Sequence, residues 1–225
     1  MNALQHQETV RIPAGGVTLE GVLELPAQPA GVVAFSHGSG SGRLSPRNRF
    51  VAGELVAANI GALLLDLLTE EEDRDYETRF DIALLTERLG HAARFLEGHA
   101  ASRGLPLGLF GASTGAASAL RVAAASPGAV RAVVSRGGRP DLAGRAALGR
   151  VVAPTLLIVG ARDTEVLELN RAAREALGGC ESELAIVPRA THLFEEPGTL
   201  EEVARLASAW FVRHLGGAEG RKERG

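Results

Sequence analysis

Five short apolar runs in this chain are continuous rather than alternating: residues 31–35 (Gly-Val-Val-Ala-Phe), 61–65, 105–110, 130–135 and 155–159. A strand with one wet face alternates apolar and polar residues, whereas a strand covered on both faces is apolar throughout. Runs of this length are therefore predicted to be central strands of a parallel sheet. Parallel neighbours cannot be joined by a tight turn and need a crossover. The intervening stretches 49–58, 79–97, 114–125, 165–177 and 200–214 carry apolar residues at helical spacing; in the second, Ile82, Leu85, Leu89, Ala92 and Leu96 form one stripe. Strand and helix in alternation predict a doubly wound α/β sandwich. Residues 183–187 are a candidate final strand.

Upstream the pattern changes. Residues 9–12 and 17–25 flank Pro13-Ala14-Gly15-Gly16, and the second segment alternates, with Val17, Leu19, Leu23 and Leu25 on one face and Thr18, Glu20 and Glu24 on the other. This predicts an antiparallel hairpin at one edge of the sheet, for seven to eight strands in all. No linker or repeat divides the chain. One folded domain over 8–215 is expected, with flexible termini at 1–7 and 216–225.

Composition excludes several function classes. The formal net charge is −3 and aromatic residues make up 4% of the chain, so neither a basic nucleic-acid face nor a base-stacking platform is expected. Cys180 is the single cysteine, which leaves no internal disulfide and no paired-cysteine metal site. No apolar run approaches the length of a membrane span, and Met1 to Gln7 lacks a leader pattern. The expectation is a cytoplasmic protein acting on a small molecule, without cofactor, metal, nucleic acid or membrane.

Gly111-Ala112-Ser113-Thr114-Gly115 places a serine between glycines, straight after one predicted strand and straight before one predicted helix. Such a turn lifts the hydroxyl to the tip of the strand, at a helix N-terminus whose N–H groups can receive a developing oxyanion. A serine needs a base, and the base needs an acid to orient it. The run 155–159 ends in Gly160-Ala161-Arg162-Asp163, and 183–187 is followed by Pro188-Arg189-Ala190-Thr191-His192. Asp163 and His192 thus fall at the same sheet edge as Ser113, in the order nucleophile, acid, base. The bland alternatives are helix capping by Ser113 and by Asp163, and a loop histidine bonded to backbone at His192. Asp141, after the preceding strand, is the substitute acid.

Ser36-His37-Gly38-Ser39-Gly40-Ser41-Gly42 closes another central strand. Its backbone can approach a substrate closely, so the N–H groups of Ser39 and Thr114 are the expected oxyanion donors, with Gly40 beside them at the substrate. The loop lacks the Gly-Lys-Ser/Thr ending of a P-loop. His37 is expected to brace it.

Taken together, His37-Gly38, Gly111 to Gly115, Gly160 to Asp163 and Thr191-His192 resemble the α/β-hydrolase superfamily. Ser41 to Arg49 and Ser135 to Asp141 are similar to its small, lid-less dienelactone-hydrolase-like members. The resemblance covers residues 10–214. It implies a three-layer α/β-hydrolase sandwich without a large cap, cofactor-free hydrolysis of esters, and a covalent acyl-enzyme. It departs at the nucleophile, where dienelactone hydrolases place cysteine and this chain has Ser113. Thioesterase, lactonase, amidase and acyltransferase chemistry use the same residues, and the fold also supports non-catalytic ligand binding. Arg43, Arg47, Arg49, Arg136, Arg139 and Arg162 fall near the expected mouth, with Arg43 and Arg136 the candidates for substrate contact; a solvated or ion-paired rim is the alternative.

Overall fold

The computed structural model describes residues 4–216. An eight-stranded sheet has the order β1-β2-β4-β3-β5-β6-β7-β8. Strands β1 (Leu4–Ala14) and β2 (Val17–Pro26) form an antiparallel hairpin, and β2 also runs antiparallel to β4 (Gly61–Leu65). From β4 inward all pairings are parallel: β3 (Val32–Ser36), β5 (Leu107–Ala112), β6 (Val130–Arg136), β7 (Thr155–Gly160) and β8 (Ser182–Val187). The main helices are α1 (Pro46–Ala57), α2 (Ile82–Gly98), α3 (Thr114–Ala125), α5 (Thr164–Ala176) and α6 (Thr199–Leu215). After β6 come only a 3-10 turn and the one-turn α4 (Arg145–Leu148), so no cap covers this edge.

Each central strand feeds two cores. On one face Val133, Leu109 and Leu157 pack against Leu85, Leu120 and Ala173 from α2, α3 and α5. On the other Val134, Phe110 and Ile158 pack against Val51, Leu55 and Val203 from α1 and α6. Every residue of β3, β4, β5 and β7 is buried, which is why these runs do not alternate. Phe35 and Phe110 sit with ring centroids 4.8 Å apart and are almost fully buried. A side chain of that size contributes about 1.5–3 kcal/mol when taken out of water.

Several boundaries move, each for a local reason. β1 begins at Leu4, so residues 4–7, expected among the flexible ones, lie in strand, where Gln7 donates a side-chain hydrogen bond to Glu24 (2.8 Å). Gly15 and Gly16, both at positive φ, make the whole turn, and Pro13 belongs to the strand. β5 starts at Leu107 rather than 105, because Pro106 has no N–H to give the ladder. α1 starts three residues before Arg49, with Pro46 in its first turn and Ser45 as the cap accepting from Asn48 N–H. The expectations for 1–3 and 217–225 lie outside the described residues. Among the described residues no helix is long and apolar enough to cross a membrane.

Candidate active site

β5 delivers Ser113 to the carboxyl edge of the sheet. Ser113 has φ 51° and ψ −122°. A residue with a Cβ held there costs on the order of 1–3 kcal/mol and persists only where its surroundings enforce it. The enforcement is visible: Ser113 N–H donates to Arg136 O (3.2 Å), and Arg139 N–H donates to Ser113 O (3.0 Å). The next turn must then pass close to β3. A Cβ on Gly115 would collide with the Ser36 and His37 carbonyl oxygens, which explains glycine there. Ser118 on α3 donates to Gly115 O (2.9 Å) and therefore accepts from Ser36 (2.7 Å), tying the elbow to the end of β3.

Ser113 stands at the N-cap of α3 and Asp163 at the N-cap of α5, yet neither side chain makes a capping hydrogen bond. The capping alternative fails at both positions. Asp163 instead accepts from His192 Nδ1 at 2.6 Å, with the carboxylate largely covered and the imidazole more open. That bond makes Nδ1 the protonated ring nitrogen and leaves Nε2 as the basic one. Asp141 is engaged elsewhere, in a bidentate pair with Arg139 at 2.7 and 2.9 Å. Among the described residues no hydrogen bond joins Ser113 and His192. Gly137 lies between the elbow and the histidine loop: a Cβ there would stand 3.6 Å from His192 Cε1.

The histidine loop has a brace that sequence reading missed. The Glu196 carboxylate accepts from Thr191 N–H at 3.1 and 3.2 Å, which holds Glu196 below the usual carboxylate range. The sequence signal, an acid four residues after His192, is too common to stand out. Phe194 at φ 56° turns its ring into the α1–α6 core and anchors the same loop.

On the opposite side, the loop after β3 approaches the elbow. A Cβ on Gly38 would lie 3.0 Å from Ser113 Cβ and 3.2 Å from the Ala112 carbonyl oxygen, so a larger residue would crowd the elbow. Ser39 N–H, an expected oxyanion donor, bonds Thr114 Oγ1 at 3.2 Å. A substrate oxygen must displace that bond to use Ser39. The involvement of the Thr114 side chain was not legible beforehand.

His37 is buried and does brace the loop: Nδ1 donates to Gly38 O and Nε2 accepts from Leu67 N–H, each at 3.0 Å. Burial lowers its pKa; the Gly38 carbonyl and the charges of Asp66 and Asp73 pull the other way without winning. The unfolded chain therefore takes up this proton first. Stability from a neutral His37 is complete above about pH 6.5 and declines as pH falls toward its lowered folded value. His214, also lowered by burial, acts in the same sense. Urea midpoints at pH 7.5 and 5.5 should show a loss on acidification that is smaller in His37→Gln; an equal loss in both proteins refutes the assignment.

The arginines divide sharply. Arg43 pairs with Asp66 and with Glu20 (2.6 Å), so this candidate for substrate contact spends its charge on the protein. Arg47 reaches Glu195 at 3.3 Å. Arg136 is 8% exposed, and its Nε and Nη1 are buried without a partner. Burial first, and then the Arg47 charge, push its pKa down to about 10. A cavity of about 670 Å³ opens beside Ser39, Gly40 and Arg43, with Glu20, Asp66 and Asp73 on its wall; its lining includes neither Ser113 nor His192. Among the described residues no group of three His, Cys, Asp or Glu side chains is placed to hold a metal ion.

A mostly parallel eight-stranded sheet, with a strained serine after β5 and an acid and a histidine after β7 and β8, defines an α/β-hydrolase fold. No protein-family model matches the chain. A dienelactone hydrolase from Anabaena variabilis is 51% identical in its crystal structure, with a TM-score of 0.90, over 93% of this chain and 98% of that one. The chain belongs to the dienelactone-hydrolase-like family of α/β-hydrolases. Est1E from Butyrivibrio proteoclasticus shares the fold at 14% identity and a TM-score of 0.78, over 93% of this chain and 99% of its own. Proteins from two strains of Mycobacterium tuberculosis are 57% identical over 211 residues, 93% of this chain and 47% of theirs. Both carry the provisional designation phosphoribosyl transferase, and the chain spans about half their length.

Proposed function

We propose that this chain is a serine hydrolase that cleaves small carboxylic esters through an acyl-enzyme. The observation that carries this reading is the His192 Nδ1 to Asp163 Oδ2 bond of 2.6 Å, made by an N-cap aspartate that leaves its own helix uncapped. It orients an imidazole whose free Nε2 is available as a base, at the sheet edge where Ser113 is held in a strained turn.

In this mechanism Nε2 takes the Ser113 proton as Oγ attacks the ester carbonyl, the two atoms coming into hydrogen-bond reach in the substrate complex. Asp163 stabilises the imidazolium. The N–H groups of Thr114 and Ser39 receive the oxyanion, Ser39 exchanging its bond to Thr114 Oγ1 for one to substrate. The protonated imidazole gives its proton to the leaving alkoxide, and water then enters by the reverse sequence to release the acid. The short segment after β6 leaves the mouth open, which favours small acyl groups and tolerance among them. The transferase designation of the Mycobacterium relatives we assign to the part of those proteins that this chain does not match.

The reading is tested by fluorophosphonate labelling followed by peptide mapping, alongside a panel of ester, thioester, lactone and amide substrates. Labelling of Ser113 with turnover of p-nitrophenyl acetate is expected. Absence of both from folded protein would make the chain a binding module and overturn the proposal.

A further inference from the structure

Thr114 carries a hydroxyl where the helix alone has no use for one. It opens α3 directly after Ser113 and is 4% exposed. An apolar residue there would bury no polar group, and alanine or leucine would favour the helix more. The hydroxyl is only half used. Its oxygen accepts Ser39 N–H at 3.2 Å, but among the described residues its proton has no acceptor. A buried O–H without an acceptor is unfavourable, so an acceptor that arrives beside it is held the more strongly.

The loop after β3 does not need this bond to keep its shape. Gly38 O receives both His37 Nδ1 (3.0 Å) and Ser41 N–H (3.1 Å), and His37 Nε2 accepts from Leu67 N–H (3.0 Å). What the bond fixes is the position of the hydroxyl. Oγ1 lies within hydrogen-bond reach of Ser39 N–H, one expected oxyanion donor, and belongs to the residue whose own N–H is the other. It therefore stands beside the point on which those two donors converge, the point a substrate oxyanion has to reach. Ser39 is exposed and Ser113 half-buried, so substrate has access to it.

We propose that the Thr114 hydroxyl is a third oxyanion donor, which turns from acceptor to donor as the tetrahedral intermediate forms. The role rests on the ester-hydrolase reading above. When Ser113 Oγ bonds to the carbonyl carbon, its proton passes to His192 Nε2 and the C=O π pair moves onto the carbonyl oxygen. That oxygen takes Ser39 N–H, and Oγ1, released from it, turns its own proton toward the same oxygen. Thr114 keeps its proton throughout, and the electron pair returns when the alkoxide leaves. Displacing the resting bond thus loses nothing: one hydrogen bond is given up and two are made. Hydrogen bonds to an anion are shorter and stronger than neutral ones, so the gain falls in the transition state and not in ground-state binding.

Thr114→Val keeps the shape of the side chain and removes the hydroxyl, whereas Thr114→Ser keeps the hydroxyl. Both are compared with the parent in hydrolysis of p-nitrophenyl acetate and in inhibition by phenylboronic acid, which forms a tetrahedral adduct on a nucleophilic serine. Thr114→Val should lower kcat about 10²-fold with KM within about twofold, and weaken the boronate by a similar factor. Thr114→Ser should stay within about fivefold of the parent in both assays. If the valine variant does not fold, Thr114→Ala, which leaves space in place of the hydroxyl, carries the same expectation. A loss expressed mainly in KM would make the hydroxyl a tether for the loop, and an equal loss in Thr114→Ser would assign the effect to the missing methyl group. A gain in activity would make it a plug of the oxyanion site. Each of these overturns the proposal, as does parental activity in a folded Thr114→Val or Thr114→Ala. A parent protein that neither cleaves the ester nor binds the boronate refutes the hydrolase reading and this role together, whereas parent turnover that Thr114→Val retains refutes this role alone.

Discussion

Ser113→Ala should lose at least about 10⁴-fold in kcat on p-nitrophenyl acetate while folding as before. Removing the nucleophile of a serine triad costs on the order of 10⁶-fold, and the oxyanion donors and binding alone retain a residue of rate over water. The change deletes one oxygen that makes no capping bond. The turn itself is fixed by backbone bonds, from Ser113 N–H to Arg136 O and from Arg139 N–H to Ser113 O, which alanine keeps. Circular dichroism and urea midpoint should therefore match the parent, and the burst of nitrophenolate should vanish. Unchanged turnover in purified protein would mean that another group attacks the ester. Cys180 is a poor candidate for that role: it is half-buried, its thiol is pushed up by burial, and it lies just before β8.

Asp163→Asn carries the second large effect. The asparagine amide can present an N–H toward Nδ1, which moves the ring proton to Nε2 and leaves no lone pair there to accept from Ser113. A comparable aspartate replacement in serine triads lowers kcat by about 10⁴-fold. Here the loss should be about 10³- to 10⁴-fold, with KM changed little, since His192 and not substrate is the partner of the carboxylate. Asp141→Asn is the control. Its carboxylate serves Arg139, so activity should stay within about threefold. The reverse ranking, with Asp141→Asn dead and Asp163→Asn active, would exchange the two acids.

What the sequence makes legible follows from what is local. Strands buried on both faces are apolar end to end, and β4 and α3 run over the residues the pattern indicates. Ser113 and Asp163 each sit just past such a strand and His192 follows the half-exposed edge strand β8, so strand polarity alone brings them to one edge. Features that depend on distant pairing were not legible. The Arg43 charge looks free until the fold brings Glu20 and Asp66, each 23 residues away, against it. Residues 4–7 look like a frayed end because all four are exposed and carry no apolar stripe of their own, and only their pairing with β2 orders them. The bond from Ser39 N–H to Thr114 Oγ1 joins loops 75 positions apart. The isolation of Arg136 is a property of what surrounds it and has no signature in its neighbours along the chain.

Two helices of this protein begin at the proposed nucleophile and its proposed acid, and neither side chain caps its helix. Serine and aspartate are strong caps, each ordinarily adding about 1 kcal/mol where the bond is made. A stability screen blind to activity would therefore be drawn to these two positions, and to the strained dihedrals of Ser113, as places where the scaffold can be improved. Thermostable descendants of this chain should be sought on the outer strand β1, which contributes no residue to the proposed site. The ends of β5 and β7 mark where the scaffold forgoes capping bonds it has the residues to make.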